Sequence, residues 1–221
     1  MKKYFSIILF LTSTLSIFSQ NNPEKELGAW YMYNGSHRVS EKFSIKSMAH
    51  FRFFEIGADM QQFIARFGAN YKINKTLGAT VGYAYLNTDT SFGVDGDTFG
   101  DHRIYEDVLA NHSISKLKFA HRLRAEQRFF RSQTGHFIRY QLGLSHPISE
   151  KWSTYVYDEI FFDFEGEAYN QNWFGFGVRH QLSKVIRLQL GYMSINVNNQ
   201  NLDRIQLGIA ISTDHRKKKN Q

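Results

Sequence analysis

The densest run of chemically capable side chains in this sequence is Arg122, Arg124, Glu126 and Arg128, four charged residues at alternate positions within HRLRAEQRF. A spacing of two puts them on one face of a β-strand. Arg103, Glu106, Arg139, Asp158 and Glu159 lie in flanking segments that a sheet would bring alongside. Unpaired charges inside a narrow barrel are costly, so the expected arrangement is an interior ion-pair network over these nine residues. The surplus of arginine would also give an electropositive lining that favours anions, or a ligand site.

Other chemistries are poorly supplied. Cysteine is absent, which removes disulfides and thiolate metal sites. His112, His121 and His180 fall in strand-like segments, but no HExxH and no histidine pair at i, i+2 occurs. His102 with Asp101, Asp107 and Ser132 supplies the residue types of a rim hydrolase. Asp95, Asp97 and Asp101 sit in a glycine-rich loop without the spacing and terminal Glu of an EF-hand. No catalytic, cofactor-binding or metal residue is therefore assigned, and no cofactor is expected. The net charge of +7 is scattered, apart from Arg216-Lys217-Lys218-Lys219 at the end. No nucleic-acid partner is expected from it.

The elements that must position these residues are strands. In 117–130, Leu117, Phe119, Leu123, Ala125 and Phe129 share one parity, and Lys118, Arg122, Arg124, Glu126 and Arg128 share the other. A period of two separates these sets onto two faces, whereas a helix would mix them. The pattern recurs in 61–73, 137–144, 173–181, 186–192 and 204–211. Weaker strand candidates are 27–34, 42–54, 77–87, 102–114 and 152–164. Phe, Tyr and Gly are abundant and proline is confined to Pro23 and Pro147, a mix that favours sheet. Asn74-Lys75, Ser115-Lys116, 147–151 and Ser183-Lys184 are short connections, 87–101 is long, and 132–135, 165–171 and 196–201 are intermediate. Short turns at one end and long loops at the other are the habit of membrane barrels. Eleven candidates are found, but bacterial single-chain barrels normally have an even number. The fold expected is an all-β, antiparallel transmembrane β-barrel of about 10–12 strands.

Lys2-Lys3, the apolar run Tyr4–Phe18 and the polar Asn21-Asn22-Pro23-Glu24 form a secretory signal peptide pattern. The expected organisation is a signal peptide at 1–20, a barrel domain at 21–213 and a polar basic tail at 214–221.

Alternation alone leaves two barrels open. A soluble secreted barrel binding an apolar ligand has an apolar interior; a membrane barrel has a polar one. Trp30, Tyr31, Tyr33, Tyr83, Tyr85, Trp152, Trp173 and Tyr192 lie near strand ends, which suits aromatic girdles at two interfaces.

The stretches Gly28–Gly35, Gly82–Tyr85, His102–Glu106 and above all His121–Phe129 resemble the DUF2490 family of uncharacterised outer-membrane β-barrel proteins. The resemblance covers essentially the whole mature chain. It implies an outer-membrane location, with membrane lipid and the barrel-assembly machinery as partners, and no assigned activity. A monomer is expected. The function read from the sequence is thus an outer-membrane barrel, structural or a narrow channel with an Arg/Glu-lined lumen. An outer-membrane hydrolase is the alternative beside the soluble barrel. One departure is the end of the chain, where a basic tail replaces the terminal aromatic residue common in such barrels.

Overall fold

The computed structural model describes residues 26–92, 97–166, 168–197 and 200–216. The expected signal peptide, most of the basic tail and Asp95 lie outside the described residues. The strands follow one another as a meander: β1 (Gly28–Arg38), β2 (Phe43–Phe53), β3 (Met60–Lys72), β4 (Leu77–Asp89), β5 (Thr98–Ile114), β6 (Leu117–Phe129), β7 (Thr134–Pro147), β8 (Trp152–Asp163), β9 (Tyr169–Gln181), β10 (Ile186–Val197) and β11 (Gln200–Asp214).

Consecutive strands pair antiparallel, and β1 closes on β11 in parallel, with Gly28 opposite Arg204 and Arg38 opposite Asp214. Eleven strands fall within the expected 10–12, and the count is odd where bacterial barrels are normally even. In a meander each strand reverses the last, so the first and the eleventh run the same way. Closure then needs one parallel seam. Parallel pairing is slightly weaker per residue, but it removes two unpaired edges.

The connections are less unequal than their sequences suggest. At one end lie 39–42, 73–76, 115–116, 148–151 and 182–185, and at the other 54–59, 90–97, 130–133, 164–168 and 198–199. Strand pairing runs far into the glycine-rich segment, with Asp89 opposite Thr98, and this shortens the expected 87–101 loop. The β5–β6 turn has only two residues, and Ser115 there has φ 54°, the left-handed geometry of a two-residue hairpin loop. Beyond β11, Arg216 bonds Asp214 and reaches Glu41 in the β1–β2 turn. Those hydrogen bonds hold its guanidinium well above the ordinary arginine range.

The two faces carry opposite polarity. Outward are Phe67, Val81, Val108, Leu123, Phe176 and Leu190, with Phe67 60% exposed. Inward, Glu126 and Glu159 are each 1% exposed and Arg204 is 0%. Apolar residues inside form two small clusters, Trp30 with Met32, Met193, Ile195 and Leu202, and Ile64 with Ala84 and Leu86, and buried Tyr105, Phe137, Tyr155 and Phe161 lie apart from both. Of the aromatic residues expected in girdles, Trp30 and Trp173 instead turn inward, where their rings meet edge to face at 5.2 Å. Trp30 pairs with Arg52 in the sheet register, and both lie on the inner parity.

Candidate functional site in the barrel interior

The interior charges are placed by register. The two-residue β5–β6 turn sets Asp107 opposite Arg124, Tyr105 opposite Glu126 and Arg103 opposite Arg128. On the other side of β6, Arg139 lies opposite Arg124 and Phe137 opposite Glu126. On β8, Glu159 lies opposite Gln141.

Glu126 is the hub. It accepts from Arg139 Nη1 at 2.9 Å, Arg128 Nε at 3.1 Å and Nη2 at 2.9 Å, and Arg124 Nη1 at 3.4 Å. Arg103 Nη1 lies 3.5 Å from it and Arg66 Nη2 3.7 Å. Glu159 accepts from Arg122 Nη2 at 2.6 Å, Arg139 Nε at 2.9 Å and Gln141 Nε2 at 3.1 Å. Asp107 takes a two-pronged contact from Arg124, and Asp101 one from Arg103. Planar guanidiniums suit this role because one fork can serve two carboxylates, as Arg139 does.

Aromatic faces complete the layer. The guanidiniums of Arg66 and Arg124 lie 5.0 and 4.4 Å from the centre of the Tyr105 ring, and that of Arg139 4.1 Å from Phe161. Room for Tyr105 comes from glycines on β3 and β4. A Cβ at Gly68 would lie 2.5 Å from the Tyr105 hydroxyl, and one at Gly82 2.5 Å from the same ring.

Of the residues singled out from the sequence, the structure brings Arg103, Arg122, Arg124, Glu126, Arg128, Arg139 and Glu159 together inside the barrel. Glu106 and Asp158 are corrections. Glu106 lies opposite Ala125 and Asp158 opposite Leu142, so both point outward. Each is one residue off the parity of its interior neighbour. Asp158 accepts from Asn172 Nδ2 at 2.9 Å on that outer face. Asp101, Asp107, Arg52 and Arg66 are interior members that the sequence reading left out of the network. Counting back from the Ser115-Lys116 turn would have found Asp107 and excluded Glu106.

The rim hydrolase set does not assemble. Asp101 and Asp107 turn inward, whereas His102 faces outward and meets the Tyr83 hydroxyl. His112 and His121 also lie outside, where His112 stacks on Phe119 and His121 meets the Tyr140 hydroxyl at 2.8 Å.

Two cavities flank the ion-pair layer. One, of about 320 Å³, lies toward the end of the barrel where β2 passes into β3 and includes Trp30, Arg52, Gln62 and Trp173 in its wall. The other, of about 310 Å³, lies on the opposite side against Thr80, Tyr105 and Arg187. Arg66 and Arg122 belong to both walls, so the layer forms the partition between them.

Fold and interior define the class: a closed meander β-barrel, apolar outside and charged within. The chain belongs to the DUF2490 family, described as a protein of unknown function, whose model matches residues 27–206. No curated protein matches. Among solved structures, the chain is similar to a loop L8 deletion mutant of OmpT, an outer membrane protein of Vibrio cholerae. The identity is 13% and the TM-score 0.45, over 80% of this chain and 59% of that one. The chain thus spans less than two thirds of that protein's length.

Proposed function

We propose that the protein is an outer-membrane β-barrel whose interior is closed midway by a layer of ion pairs, so that its role is structural or that of a narrow, gated anion path. The observation that carries this reading is the inverted polarity. Burying Glu126 and Glu159 while exposing Phe67 and Phe176 is unfavourable in water. It is favourable where hydrocarbon surrounds the wall. A soluble barrel with an apolar interior has the reverse arrangement. Strands of 11–17 residues meet or exceed the roughly 9–11 that a tilted strand needs to cross a bilayer. Residues 1–20 act as the export signal, residues 21–213 form the barrel and the 214–221 tail stays in water. The shorter turns face the periplasm, and partners are lipid and the assembly machinery, with the barrel monomeric. Fractionation tests the location. The protein is expected in the outer membrane, migrating faster on gels before boiling than after. Recovery in the soluble fraction without detergent would sink the reading. Planar-bilayer recording tests the path, with small or no conductance expected while the layer is intact.

One observation favours a second reading, a membrane-facing hydrolase. On the outer face, Tyr33 Oη lies 3.1 Å from Ser47 Oγ, and Ser47 Oγ 3.4 Å from His37 Nε2. His37 Nδ1 is 2.8 Å from Thr213 Oγ1. With Nδ1 protonated, His37 donates to Thr213 and can accept the Ser47 proton, the arrangement of a nucleophile with its base. An apolar surface groove lined by Tyr31, Tyr33, Phe51, Leu190 and Leu207 lies alongside. Purified barrel in mixed micelles should then cleave phospholipid esters, with Ser47→Ala inactive. No cleavage above detergent background, or full activity in Ser47→Ala, eliminates this reading.

A further inference from the structure

The cavity on the loop side of the ion-pair layer carries more cationic hydrogen-bonding capacity than the protein uses. Arg52, Arg66, Arg103, Arg122, Arg128 and Arg139 line it, and among the described residues Glu159 is the one carboxylate in its wall. With Arg124 and the acids beneath, the layer holds seven guanidiniums against the four carboxylates of Asp101, Asp107, Glu126 and Glu159. Arginine does not lose its charge in proteins. The excess is therefore three positive charges in a confined space, where like charges repel strongly.

The excess has an address. Arg52 makes no ion pair among the described residues. Its Nη1 donates to the Gln62 side chain at 2.8 Å, and its guanidinium lies 3.5 Å from the centre of the Trp30 ring. Arg66 reaches Glu126 only at 3.7 Å. The Nε atoms of Arg52, Arg66 and Arg122 and the indole Nε1 of Trp30 are all shielded from solvent and have no protein acceptor. All four belong to the wall of this one cavity. Buried donors without acceptors are costly and rare, so their convergence is informative. His50 Nδ1, in the same wall, is likewise without a partner, while Nε2 faces Asn34 Oδ1 at 3.3 Å. With Nε2 donating, Nδ1 offers an acceptor for a ligand hydroxyl.

We infer that this cavity is a binding site for a small polyvalent oxyanion, a carboxylate or phosphate compound, held by Arg52, Arg66 and Arg122. Such a group supplies charge to offset the excess and acceptors for the guanidinium groups of the cavity wall. The volume of about 320 Å³ admits a small molecule and excludes a polymer. Chloride is a poorer fit, since one spherical charge cannot serve several divergent donors. The ligand enters from the loop side, and Arg66 and Arg122, in the partition, would sense it. This inference concerns the interior and stands apart from the membrane reading, which fractionation decides.

The test uses the full mature barrel refolded in detergent at low ionic strength. Citrate and inorganic phosphate are titrated separately, against sodium chloride of matched ionic strength. Heat is read by calorimetry, and Trp30 and Trp173 report by fluorescence. One-to-one saturable binding of at least one anion is expected, and the anion that binds separates carboxylate from phosphate recognition. Arg52→Gln and Arg66→Gln should each weaken it about tenfold or more, while Glu106→Gln, on the outer face, should not change it. Arg52→Lys serves if Arg52→Gln does not fold, and should weaken binding because a point charge replaces the fork. Absence of saturable binding of both anions to the unmodified protein overturns the inference. So does unchanged affinity in folded variants of both arginines.

Discussion

Asp107 and Arg124 face each other across the β5–β6 pair, with Arg124 Nε 2.6 Å from one carboxylate oxygen and Nη2 2.8 Å from the other. The contact is bidentate and buried, and it ties two strands together on the inner wall. In such a setting the value of a pair lies less in its attraction than in what remains when one partner is lost. Asp107→Ala should therefore destabilise the barrel, and Asp107→Ala with Arg124→Met should cost less than the sum of the two single changes. A coupling of about 0.5–3 kcal/mol is expected from a double-mutant cycle in urea. Additive effects would show that the two side chains do not act as a unit.

Glu126 gathers more arginine than any other carboxylate in the barrel wall described above. Replacing it with Gln leaves Arg128, Arg139 and their neighbours without their shared counter-charge. A loss of about 3–5 kcal/mol follows for breaking a buried ionic arrangement. The unfolding midpoint in urea, followed by the gel shift between folded and unfolded forms, measures it.

Glu106 should behave in the opposite way. It points outward between Ile104 and Val108, both exposed apolar residues. A carboxylate on a lipid-facing surface is unfavourable, though less so than Lys or Arg. Glu106→Leu should raise stability in lipid vesicles by up to about 2 kcal/mol. The same unfolding assay reads it, and a loss of stability would mean that Glu106 has a partner on that face.

Gly68 leaves the space that the Tyr105 hydroxyl occupies. Gly68→Ala should cost about 1–3 kcal/mol through overpacking, and Tyr105→Phe in the same chain should recover part of that loss. No recovery would place the strain in the backbone of β3 and β4 instead.

Much of this arrangement is legible in the sequence, and the boundary of what is legible has a physical cause. A period of two assigns each residue to a face without neighbours being known. For that reason HRLRAEQRF could be read as a charged stripe. The period is silent on which face is inside, because apolar-in and apolar-out barrels share it; the exposed Phe67 and the buried Glu126 are what separate them. Pairing between strands depends on turn length. It was readable at Ser115-Lys116, where Asp107 and Glu106 could have been told apart, and unreadable where weak strand ends such as 98–101 merge with glycine-rich loops. Trp30 and Trp173 have the residue type of an interfacial girdle, but their parity puts them on the inner face. Arg52 and Arg66 reach the layer from across the barrel, which no local pattern encodes. The even strand count is a habit of a class, whereas the parallel seam is permitted by ordinary hydrogen bonding.

That seam has a consequence for how the two halves of the chain are seen by their surroundings. Gly28 and Asp214 lie at opposite ends of the barrel. In the proposed membrane setting, a peptide tag fused ahead of β1 and another fused behind β11 would be displayed in different compartments. An antibody added to intact cells should reach one and miss the other until the envelope is opened, a vectorial display that an even-stranded meander cannot give.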